Sequence, residues 1–303
     1  MKKFVLIFFV LALASWSNIA IAQESSNNGY NPNSVHPIHE DDIMFKMRVW
    51  RRMALKEKQN QPFFAKGNEI SKHIVNAAKA GILPIYKGDS LVNRMTKEEF
   101  LENLENPRLQ DLDMGGGADD GWGDTSDDGW GDTSGGNDGW GDTGNSNATE
   151  NEDSGTATES DPSLTQFRVS EISTLEIMED MIFDKKRSVL VWDIQSIRLI
   201  IPGDLIPGGI ERTVGVFKYK DLIDLFRSNP EQMIWFNRQN TAEHKNLADA
   251  FALRLFDARI TRVSNPDGLT ILDIYDNNAR MGIIQSQQME YELMEKEHEL
   301  WSY

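Results

Sequence analysis

The sequence has no cysteine at all. That excludes a disulfide framework, thiol catalysis, and cysteine-ligated zinc or iron–sulfur sites. It has only five histidines, and they are scattered. His36 and His39 have a metal-compatible gap but no third ligand nearby, so they read as a surface turn; His73, His244 and His298 read as helix positions. No phosphate loop, Gly-x-Ser-x-Gly elbow, His-Glu-x-x-His pair or dinucleotide fingerprint occurs, and the residues support no enzymatic activity, metal or cofactor. After the first 22 residues, no apolar run reaches the length needed to span a bilayer. Positive charge is also scarce. Residues 109–167 hold 15 Asp and Glu with no Lys or Arg, and removing those from the formal −17 leaves the rest near −2. The formal −17 argues against nucleic acid as a partner, and the near-neutral remainder bounds how far overall acidity can be argued.

What is present begins with a leader. Lys2 and Lys3, the apolar Phe4 to Ala14 and the Ala20-Ile21-Ala22 site predict a secretory signal peptide over 1–22, cut between Ala22 and Gln23. With no cysteine after the cut, the expected product is a soluble exported protein of 281 residues carrying no lipid anchor. Residues 23–40 read as a flexible polar leader.

The spacing of Ile43, Met47, Trp50 and Ala54 predicts an amphipathic helix from Asp41 to Pro62, acidic at its start and basic towards its end. On that reading Trp50 is buried, while Arg48, Arg51, Lys56 and Lys58 project into solvent. Further helices are expected over Asn68 to Ala80 and, behind the Thr96/Glu99 capping box, over Lys97 to Glu105. Ile82 to Tyr86 reads as extended. Residues 41–110 are thus expected to be a helical N-terminal region.

Residues 111–162 repeat Gly-Trp-Gly-Asp-Thr at Gly121, Gly129 and Gly139. They lack the apolar content to offset ordering entropy and read as a disordered acidic linker. The alternative is calcium binding by the Asp clusters, although the spacing matches no EF-hand or nonapeptide repeat. Trp122, Trp130 and Trp140 suit contact with a partner protein.

The remainder, 163–303, reads as an α+β domain. Strands are expected over Ile172 to Phe183, Ser188 to Ile201, Thr213 to Tyr219 and Leu269 to Tyr275. Helices are expected over Lys220 to Phe226, Thr241 to Arg259 and Asn278 to Trp301. Trp301, so near the end, suggests that this end docks on its own domain or on a partner.

Asp41-Asp42, Val49-Trp50-Arg51 and Leu55 to Pro62 resemble the opening signature of the gliding motility protein N family (GldN, PorN) of the Bacteroidetes. Ile182 to Lys185, Phe217 to Lys220, Trp235 to Asn240, Ala250 to Phe256 and Tyr291 to Trp301 continue the resemblance in the same order. Phe45, where the family pattern has tryptophan, and Arg52-Met53-Ala54 depart from it. The resemblance implies a non-enzymatic periplasmic subunit of the type IX secretion and gliding machinery, held at the outer membrane. It would form a ring with a GldK/PorK-like lipoprotein and meet a GldM/PorM-like motor component. Arg48, Trp50, Arg51, Lys58 and Trp301 are then the candidate interface residues. The alternative is a secreted ligand- or calcium-binding protein acting through the acidic tryptophan repeats.

Overall fold

The computed structural model describes residues 29–107 and 165–301. The expected cleavage site at Ala22 and Gln23, most of the leader and the 111–162 repeats lie outside the described residues. Of the described residues, 29–105 and 167–301 belong to one compact unit. In the other, Asn106 N–H donates to Thr165 O (2.8 Å).

The first long element overturns the helix expected over Asp41 to Pro62. A single 3-10 turn at Glu40–Asp42 leads into strand β1, Ile43–Ala54. Phe45, Met47, Val49 and Met53 alternate with Lys46, Arg48, Trp50 and Arg52, a period of two that directs the apolar set to one face. The short β2 (Phe64–Ala65) and β3 (Asn68–Glu69) pair with each other before helix α1, Ile70–Lys79. Gly81 follows that helix at φ +73°. The extended run expected over Ile82 to Tyr86 is not a strand: Ile82 and Leu83 lie in a bend, and Tyr86 bridges to Arg94 and Val216. Helix α2, Lys97–Leu104, opens on the expected box: Glu99 N–H donates to Thr96 Oγ1 (3.3 Å), and Thr96 N–H to Glu99 Oε2 (3.2 Å).

β4 (Thr174–Asp184) and β5 (Val189–Ile201) form the expected hairpin around the charged turn. Asp184 Oδ1 accepts from the N–H groups of Lys186 (2.9 Å) and Arg187 (3.1 Å), and Ser188 takes a positive φ. β6, Arg212–Lys218, runs straight into helix α3, Tyr219–Ser228. β7 (Ile234–Trp235) and β8 (Lys245–Asn246) pair with each other.

The helix expected over Thr241 to Arg259 shrinks to α4, Leu247–Ala252. Asn246 caps its start, donor Ala248 N–H lying 2.8 Å from Asn246 Oδ1, and Arg254 at φ +52° ends any continuation. The chain then makes a strand that the sequence reading missed, β9, Arg259–Val263. The strand expected over Leu269 to Tyr275 is instead a short helix, α5, Ile271–Ile274, capped by Thr270 and Asp273. The last helix, α6, spans Ala279–Leu300 behind an Asn278 cap, close to expectation.

Five strands make one antiparallel sheet in the order β6-β5-β4-β1-β9. β1, which opens the region expected to be helical, therefore lies inside the same sheet as the C-terminal strands. Met53, Leu175, Ile177, Ile197, Leu199 and Phe217 share one sheet face by register and pack under α1 to α4. Val49 and Met181 continue that face into a second cluster with Ile260, Ile271 and Leu293, which seats α5 and α6. The architecture is α+β, with helices layered on an antiparallel sheet.

Candidate functional site

The charged residues of the sheet are concentrated in three groups. The first interrupts the apolar face. Glu179, 0% exposed, sits in the middle of β4 between the two core clusters. Arg51 of β1 donates Nε–H to Glu179 Oε1 (2.5 Å), and Arg254 donates to both carboxylate oxygens (2.7 and 3.2 Å). Arg51 also reaches Glu290 of α6 (2.6 Å). Both guanidinium groups lie over the Trp192 ring, at 5.1 and 5.3 Å from its centroid. Planar, weakly hydrated guanidiniums suit this stacked and partly buried setting better than ammonium groups would. The positive φ that ends α4 sits at Arg254 itself and accompanies this contact.

The second group lies on the opposite face. Arg48 grips Asp180 with two hydrogen bonds, 2.7 and 3.0 Å, and Lys46 adds a third cation contact at 3.1 Å. Asp180 is fully buried and stands opposite Asp193 in register. Asp180 raises the Arg48 pKa, chiefly through their hydrogen bonds. Burial pushes the Asp193 carboxyl above its ordinary value, although Gln195 donates to it (2.6 Å). Asn31, from the segment before β1, donates in turn to Gln195 (2.7 Å).

The third group gathers on Asp89 of the loop between α1 and α2. Trp50 Nε1–H (3.0 Å), Arg262 (3.2 Å) and Arg198 all donate to it. Arg262 lies over the Trp50 ring at 3.7 Å, and Arg198 pairs with Glu176 (3.0 Å). Burial raises the Glu176 pKa. An open cleft of ≈ 580 Å³ runs from Glu176 and Arg198 to Leu272 and Ile283.

These contacts locate the five candidate interface residues. Trp50 does not face the core as the helix reading expected; it is half-buried on the polar face of the sheet. Arg51 does not project into solvent as expected but is held by the fully buried Glu179; Arg48 is held by the fully buried Asp180 and keeps only part of its side chain in solvent. Lys58 is exposed in the turn after β1. Trp301 is exposed at the end of α6, with its ring edge-on to Phe183 at a centroid distance of 6.4 Å.

Sequence reasoning missed Glu179, Asp180, Arg254 and Asp89. A signal existed for the first two: an acidic pair in the middle of an apolar strand demands cations. Among the described residues no group of three or more His, Asp or Glu could hold a metal ion, and no helix is long and apolar enough to cross a membrane. The described surface that stands out is apolar: nine of its 17 exposed large hydrophobic side chains fall between Leu269 and Trp301.

Fold and contacts define an α+β protein whose buried charges brace a five-stranded sheet. Residues 38–302 match the family described as gliding motility associated protein GldN, and the chain belongs to that family. No curated protein matches the chain.

Proposed function

We propose that this protein is a non-enzymatic structural subunit of the periplasmic ring of the type IX secretion and gliding machinery. It assembles with an outer-membrane lipoprotein of the GldK/PorK kind, contacts the motor-linked GldM/PorM-like component and associates with copies of itself. It resides in the periplasm and is held at the outer membrane by its lipidated partner. The observation that carries this reading is the family match over 38–302. Two features support it. The three charge groups are engaged in bracing the sheet, and the expected export leader at Met1 to Ala22 directs the chain to the right compartment.

The test is affinity purification of the tagged full chain from the envelope of its own bacterium, paired with deletion of its gene. Recovery in a large complex with a lipoprotein, and loss of secretion and surface spreading on deletion, is the expected result. A chain that runs alone in the soluble periplasmic fraction, and whose deletion leaves secretion intact, overturns the reading.

A further inference from the structure

α6 carries apolar side chains on two sides, and only one side packs. Its inner side buries Gly282, Ser286 and Leu293. Gly282 lets the Leu272 side chain close on the helix, since a Cβ there would come within 2.6 Å of Leu272 Cδ2 and the leucine would have to shift. On the outer side, Ile284, Tyr291 and Met294 follow at steps of seven and three and stand 45, 68 and 54% exposed. Those steps keep one side of an α-helix. Trp301 closes the row.

A second row runs beside the first. Glu292, Glu295 and Glu299 follow at steps of three and four, and all are exposed. None forms an ion pair among the described residues; Glu292 accepts only a neutral hydrogen bond from Gln288 (3.2 Å). The one lysine of α6, Lys296, lies over the Phe45 ring instead, 5.2 Å from its centroid. Like charges at these spacings weaken a helix, and Glu299 also sits at the end where the helix dipole disfavours anions. An uncovered apolar row beside an unpaired acidic row has a specific complement.

We propose that the outer face of α6 is a docking surface for a protein segment that presents an apolar stripe flanked by lysine or arginine. The stripe closes over Ile284, Tyr291 and Met294, and the cations meet Glu292, Glu295 and Glu299. Charge decides against the other occupants. A parallel pairing with α6 of a second copy sets acidic row against acidic row. An antiparallel one sets it against a half-helix whose only cation is Arg280. Anionic lipid headgroups are repelled by the same row. This inference rests on the reading of the chain as an assembly subunit and names the face that meets its partner.

The absence of cysteine makes the test clean. Tyr291→Cys in the full chain provides a unique thiol on an exposed site, and Lys97→Cys provides one at the exposed start of α2. Each is expressed in the native bacterium, loaded with a thiol-directed photo-crosslinker and irradiated in intact envelopes.

The expected result is one heterologous adduct from position 291 that is absent from position 97. It falls about tenfold when Glu292, Glu295 and Glu299 are all changed to Lys, and it weakens between about 0.05 and 0.5 M salt. The Lys variant should keep the wild-type circular dichroism and melting temperature. An adduct of two copies of this chain, or one indifferent to charge reversal, overturns the proposal. Co-purification with the lipoprotein but no adduct at 291 overturns this face alone. Absence of both overturns the assembly reading as well.

Discussion

At the scale of single residues, Glu179 is the most consequential side chain in the sheet. It is fully buried between two guanidinium groups. Such a pair need not add net stability, but removing one partner leaves the others buried and uncompensated. Glu179→Gln should therefore lower unfolding stability by about 3 kcal/mol in urea titrations. A loss near zero would show that Arg51 and Arg254 find other partners. Asp193 behaves in the opposite sense. Its folded pKa is raised by burial, so the folded state holds its proton more tightly than the unfolded chain does. Stability on this account falls as pH rises from the ordinary aspartate value through the raised one. Asp193→Asn should raise the melting temperature at neutral pH and lose that advantage below the ordinary aspartate range. An advantage independent of pH would place its origin in packing. The partners of Glu179 were not legible in the sequence, because Arg51 and Arg254 reach it from other elements, whereas Asp193 meets Gln195 two residues along its own strand.

At the scale of elements, legibility depended on whether the deciding contacts were local. The Thr96/Glu99 capping box was read correctly because its hydrogen bonds span three residues. Thr96→Ala should cost about 1 kcal/mol of stability, measured by thermal or urea unfolding. A change within error would mean that the tertiary seat of α2 replaces the cap. The box at Thr270 and Asp273 was equally local, yet the apolar run around it was read as a strand. β1 failed for another reason. Its sequence fits both periods: Ile43, Met47, Trp50 and Ala54 satisfy a helix, while Phe45, Met47, Val49 and Met53 satisfy a strand. Long-range pairing with β4 and β9 decided between them. The same applies to β9, whose five residues carry little signal without β1 beside them.

At the scale of the whole molecule, the fold class was legible, and the sharing of one sheet by both ends of the described sequence was not. β1 stands between β4 and β9, so the C-terminal strands are not contiguous without it. An isolated fragment of residues 165–301 should show no cooperative thermal transition, since both β4 and β9 would expose an unpaired edge and the inner cluster would lose Val49. A sharp transition near that of the full chain would show that the β1 gap closes on itself.

The placement of β1 also sets the order of events during export. Arg48 and its partner Asp180 are 132 positions apart, and Trp50 and Thr261 are 211 apart. In the exported protein proposed above, β1 emerges from the translocation pore early and waits for almost the entire remaining chain before its second neighbour arrives. Closing loops of that length is slow compared with local helix formation. The same topology that makes the finished sheet indivisible keeps the nascent chain open, so the protein cannot lock into its final form while any large part of it is still crossing the membrane.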